Sequence, residues 1–139
     1  MNLNLETEVR KHMDDSIIDL QITKKVDSKI NLYTVDGILV KDNFDFSNRK
    51  KVKRIITKMI KNFNVHMVVT IYGAWISNDL KTFPSIACDR RRSICVYGET
   101  KTNKILSYTE YSNSIDGNII IGKTNAVKNN FCGQLTNYF

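Results

Sequence analysis

The spacing of apolar positions changes along the chain, and each change marks an element. Leu5, Val9, Met13, Ile17 and Leu20 recur every three or four residues, which predicts a helix from Leu5 to about Leu20. Glu6 and Glu8 near its start suit the positive end of the helix dipole. The run KINLYTVDGILVKDNF places Asp36-Gly37 between two β-rich segments, a strong hairpin signal. It predicts strands at about 29–35 and 38–43, with Asp36 and Gly37 at the two positive-φ positions of a type I′ turn. Val52, Ile55, Ile56, Met59, Ile60 and Phe63 then form the apolar face of a second helix, about 48–63. Ser47 is the expected N-cap and Asn64 the expected end.

The segment VHMVVTIYGAWIS, about 65–77, is too apolar to alternate. It predicts a central strand buried on both faces, with His66 as a core or interface histidine. NDLKTFPSIACDRRR reads as a loop, marked by Asn78-Asp79 and Pro84. SICVYG and KILSYTEYS flank ETKTN as a second hairpin, and Asp116-Gly117 turns into NIIIGKT. The last 15 residues, with Phe131, Tyr138 and Phe139, take no assignment. The expected fold class is α+β, in the order α-β-β-α-β-β-β-β. It has an antiparallel or mixed sheet of about six strands, with two helices packed on one face. No linker or repeat divides residues 1–139, so a single domain is expected.

Composition narrows the function classes. No run of 18 apolar residues is present, which argues against a membrane helix. The start MNLNLETEVRKHMDD lacks a secretory pattern. Cys88, Cys95 and Cys132 are scattered, as reduced thiols in a cytoplasm would be. Abundant Lys, Asn and Ile reflect an AT-rich genome, pointing to a low-GC bacterium or one of its phages. The net charge of +7 is unevenly placed. Residues 1–46 carry nine acids and six bases, whereas residues 47–139 carry five acids and fifteen bases. The later part is therefore where an anionic partner would bind.

Two basic groups stand out there. Arg49, Lys50, Lys51, Lys53, Arg54, Lys58 and Lys61 lie on the second helix with no acid among them, a pattern suited to phosphates. Cations in the first turn oppose the dipole, at about a few tenths of a kcal/mol each. Plain solubilisation of a solvent face is the competing explanation. The second group is Arg90, Arg91 and Arg92. Arg is scarce, six against fifteen Lys, so three in succession is not codon bias. Alternation along a strand puts Arg90 and Arg92 on one side and Arg91 on the other. The competing explanation is a loop-fixing pair with Asp89 or Asp79. Aromatics Tyr72, Trp75, Phe83, Tyr97, Tyr108 and Tyr111 could stack bases, although strand aromatics are more often core.

Catalytic alternatives are thinner. Asp89 followed by Glu99-Thr100-Lys101 matches the spacing of a PD-(D/E)xK nuclease site. Glu99 is expected at a hairpin tip, however, with roughly 33 Å of strand between it and Asp89. His12 and His66 are isolated, and the cysteines lack metal-ligand spacing. No catalytic residue, metal or cofactor is expected.

The segment from Tyr72 to Tyr111 resembles a family of small uncharacterised phage and bacterial proteins. The matching residues are Ala74, Trp75, Pro84, Ser85, Asp89, Arg90, Val96, Gly98 and Glu99, with Gly73 where that family has Glu. The resemblance implies a phage or mobile-element origin and no known activity.

The sequence thus leads to a non-catalytic, cytoplasmic, viral-type binding protein that contacts nucleic acid or a host nucleoprotein. The expected contact residues are Arg49, Lys50, Lys53, Arg54, Lys58, Lys61, Arg90, Arg91 and Arg92. Inhibition of a host defence complex, in the manner of an anti-CRISPR, is the expected role, and a homodimer the expected state. The alternatives are a nuclease on Asp89, Glu99 and Lys101, or an oligomeric binder of a small anion such as a signalling nucleotide at Arg90–Arg92.

Overall fold

The computed structural model describes residues 4–42, 44–79, 81–129 and 137–139. Among these, two helices and six strands follow the expected order: α1 (Leu5–Thr23), β1 (Lys29–Thr34), β2 (Gly37–Asp42), α2 (Arg49–Phe63), β3 (Met67–Ile76), β4 (Arg91–Glu99), β5 (Lys104–Asn113) and β6 (Ile119–Lys128). A 3-10 turn at Pro84–Ile86 interrupts the β3–β4 connection. The strands form one sheet in the order β2-β1-β3-β4-β5-β6, with every neighbouring pair antiparallel. No helix among the described residues is long and apolar enough to cross a membrane.

Helix α1 begins where Asn4 Oδ1 accepts the Thr7 amide at 3.2 Å. It ends at Lys24, whose left-handed backbone (φ 63°) returns its amide to the Leu20 carbonyl at 2.8 Å. The predicted stripe is what it buries: Leu5, Val9, Met13 and Leu20, with Ile17 packed beside them. The helix lies very close to β4. A Cβ on Gly98 would sit 2.4 Å from Val9 Cγ2 and 2.8 Å from Leu5 Cδ1, so glycine is what permits the approach.

The two helices, expected on one face, cover opposite faces. Alternation along each strand separates two cores. Tyr33, Met67, Val69, Ile71, Ile94, Val96 and Ile105 pack with α1. Ile30, Leu32, Val68 and Tyr97 pack with Val52 and Ile56 of α2. The physical reason lies in the central strands. Residues 30–33 of β1 and 67–71 of β3 are buried without alternation, so the sheet has two apolar faces and one helix cannot cover both.

Three local expectations are corrected. Thr34 pairs with Gly37, so the turn residues are Val35 and Asp36, and of the expected pair only Gly37 takes a positive φ (143°). The Thr34 hydroxyl stabilises that arrangement, donating to Gly37 O at 3.0 Å and accepting from Asp36 N at 3.2 Å. His66 precedes β3 and is exposed, tied to β1 only by its amide on Tyr33 O at 2.9 Å. The segment expected to be buried throughout is so only in its first half. From Tyr72 onward β3 alternates, leaving Gly73 and Trp75 exposed.

Candidate nucleic-acid interface

Helix α2 is positioned by its ends and by a narrow apolar face. Asn48, not Ser47, is the N-cap, its Oδ1 accepting the Lys51 amide at 3.1 Å. Ser47 is occupied one step earlier, its amide donating to Asp45 Oδ1 at 2.9 Å. That bond, with a second from the Ser47 side chain, holds the Asp45 carboxyl below its usual pKa. Asn64 ends the helix in the left-handed region (φ 50°), as its position suggested. Val52 and Ile56 are buried and Met59 and Ile60 partly so, but Phe63 lies outside the core at 51% exposure.

On the outward side, Lys50, Lys53, Arg54, Lys58 and Lys61 line one shallow crease with Thr57. These positions recur at three- and four-residue steps, so they form a stripe over the twelve residues from Lys50 to Lys61, about 16 Å long. No base of α2 forms an ion pair with any described residue, and the first turn contains no acid. Arg49 stands apart from the stripe. It borders the apolar face, and its charge acts on Tyr72, Cys95 and Tyr138, opposing the upward push that burial gives those three groups. Arg49 thus lies beside the α2-side core, where Phe46 packs on Tyr72 at 5.4 Å and Tyr97 on Tyr138 at 6.0 Å between ring centroids.

The arginine cluster does not join this surface. Arg91 lies on the α2 side, where its Nε meets Glu110 Oε2 at 3.1 Å, and its terminal nitrogens reach Asp89 and Asn78. It clamps the β3–β4 loop. Asp89 completes the clamp by accepting from the Ser77 hydroxyl and from Asn78 N, which keeps its carboxyl below the usual range. Arg90 and Arg92 lie on the α1 side, as strand alternation predicted. Arg90 sits 5.1 Å from the centroid of Trp75 and Arg92 5.2 Å from that of Tyr111. The predicted basic residues are thus split between the two faces of the sheet.

The nuclease constellation is not assembled. Glu99 is not at a hairpin tip. It is the last residue of β4, buried, with Asp89 beyond the other end of that strand. Its carboxylate accepts the Tyr97 hydroxyl and the amides of Asn137 at 2.7 Å and Phe139 at 2.9 Å. Lys101 is exposed in the following turn. Among the described residues no group of three or more His, Cys, Asp or Glu could hold a metal. Cys95 is buried, Cys88 exposed, and Cys132 lies outside the described residues.

Two networks escaped sequence reasoning. One is the Glu99 clamp, hidden because its partners are amides 38 and 40 residues away. The other joins α1 to β1. His12, read as isolated, has its Nε2 2.7 Å from the Tyr33 hydroxyl, which donates to Glu8 Oε2 at 2.9 Å. Burial holds the His12 pKa below its ordinary value despite the nearby carboxylates of Glu8 and Asp15. The i, i+4 spacing of Glu8 and His12 on one helix was the available signal; Tyr33 could not be paired with them from sequence. Comparison with models of protein families, with curated proteins and with solved structures finds no match to this chain.

Proposed function

We propose that this protein is a non-catalytic nucleic-acid-binding module that takes a phosphate backbone along α2. The observation that carries the reading is the stripe of Lys50, Lys53, Arg54, Lys58 and Lys61, exposed or half-exposed and without a carboxylate partner among the described residues. Bases that stabilise a fold are paired, capped or placed at the C-terminal end of a helix. Of the five, Lys61 alone is placed at the C-terminal end, Lys50 opposes the dipole in the first turn, and all face one direction. Phosphate contact explains that arrangement, because a helix surface of this kind binds by releasing counterions and needs no base-specific geometry. The phage-like composition supports a setting in which the nucleic acid belongs to a host nucleoprotein, occlusion of it being the inhibitory act.

The test is a salt titration of affinity for a mixed-sequence DNA duplex. Five phosphate contacts give a slope of log K against log salt of about −4 to −5. The variant K53A/R54A/K58A should fold normally and reduce that slope by about 2.7. Absence of binding to DNA or RNA at low salt would sink the proposal.

A further inference from the structure

On the α1 side the sheet carries a second surface of different chemistry. Trp75 of β3 lies directly opposite Arg92 of β4, and Arg92 directly opposite Tyr111 of β5. An aromatic–guanidinium–aromatic row therefore crosses three strands, with its outer members about 10 Å apart. Arg90 adds a second guanidinium over Trp75 at 5.1 Å, while Arg92 lies over Tyr111 at 5.2 Å. The row lies just past the cover that α1 and its C-terminal extension provide. Val26 sits 3.6 Å from where a Gly73 Cβ would be, and Trp75, the next residue on that face, is 41% exposed.

The state of the two guanidinium groups carries the argument. Arg91, between them in sequence, is held by Glu110, Asp89 and Asn78. Arg90 and Arg92 are exposed, and their side chains make no ion pair or hydrogen bond to any described residue. Aromatic rings support them, while their guanidinium N–H donors find no acceptor among the described residues. A surface offering flat rings and unspent forked donors in one row complements a ligand with flat rings joined by phosphates. Bases stack on aromatic or guanidinium planes, and phosphates take the forks. A duplex hides its base faces, so the row suits unpaired nucleotides.

We propose that Trp75, Arg90, Arg92 and Tyr111 form a binding platform for single-stranded nucleic acid, separate from the α2 stripe and on the opposite face of the sheet. It goes beyond the α2 reading and does not depend on it.

Trp75 is the sole tryptophan of the chain, so its emission reports this site alone. A short oligothymidylate should quench it and the matching duplex should not. Tyr111→Ala should weaken oligothymidylate binding roughly 5- to 150-fold. Because Tyr111 also packs against the α1-side core, the exposed Arg92→Ala is the second variant. It should keep the circular dichroism spectrum of the parent and lower the salt slope for the single strand by about 0.7. The quench should persist in K53A/R54A/K58A, which separates this site from α2. Lack of quenching, equal quenching by duplex, an unchanged slope in Arg92→Ala, or loss of the quench in the α2 variant would overturn the platform. Adenosine monophosphate binding as tightly as the oligonucleotide would overturn it in favour of a free nucleotide as ligand.

Discussion

Helices α1 and α2 have the same architectural task, each covering one face of the sheet, yet they use their charges in opposite ways. On α1, Glu6 pairs with Arg10 at 3.6 Å and with Lys128 of β6 at 3.1 Å, and Glu8 accepts the buried Tyr33 hydroxyl. Its polar residues fasten it to the sheet. On α2 seven bases occupy fifteen residues, and none forms an ion pair with a carboxylate among the described residues. The helices differ in packing as well: α1 buries four residues and presses against Gly98, whereas α2 buries two. The difference teaches which charges are engaged within the fold and which are not. Surplus charge on the less deeply packed helix is what the fold does not consume.

The comparison can be broken most forcefully at its scaffold. Leu20 is fully buried in the α1 core. Leu20→Ala should cost about 2–5 kcal/mol of unfolding free energy in a urea titration. The folded fraction should still bind duplex DNA like the parent, because α2 lies on the other face. A parallel loss of affinity in the folded protein would show the two faces to be coupled.

A smaller effect is expected at Glu99. Glu99→Ala removes the acceptor of two backbone amides and of the Tyr97 hydroxyl. Thermal or urea unfolding should register a loss of about 1–3 kcal/mol. Nucleic acid should be bound and released intact by both proteins, with or without divalent metal. Metal-dependent cleavage that disappears in Glu99→Ala would restore the nuclease alternative.

The smallest effect sharpens the contrast most. Lys50 sits in the first turn of α2, where the dipole disfavours a cation. Lys50→Glu should raise stability by about 0.3–1 kcal/mol while weakening duplex binding. Stability and affinity moving in opposite directions would mark Lys50 as retained for its partner. A gain in both, or a loss in both, would return the α2 bases to plain solubilisation.

Much of this was legible in the chain. The α1 stripe, the α2 stripe, the hairpins and the order of elements along the chain all rest on local periodicity and turn chemistry, which involve neighbours within four residues of one another. The α2 cap moved by one residue because Asp45 engages both the amide and the side chain of Ser47, leaving Asn48 to accept the Lys51 amide. The opposite sides taken by Arg91 and by Arg90 with Arg92 also followed from strand alternation alone.

What tertiary structure decided is anything that requires knowing what lies across the sheet. Periodicity shows that a helix has an apolar face, not which face of the sheet it meets, and two helices of either sign pattern fit either side. The assignment of α1 and α2 to opposite faces left the bases of α2 on one face of the sheet and Arg90 with Arg92 on the other. Pairing across strands turned Trp75, Arg92 and Tyr111, 17 and 19 residues apart, into one row, and gave Arg91 its partners Glu110, Asp89 and Asn78. Sequence determined which residues carry charge and which elements hold them. Only the packing of those elements determined which charges are neutralised inside the protein and which are left facing outward, because a charge's partner is set by distance in space and not along the chain.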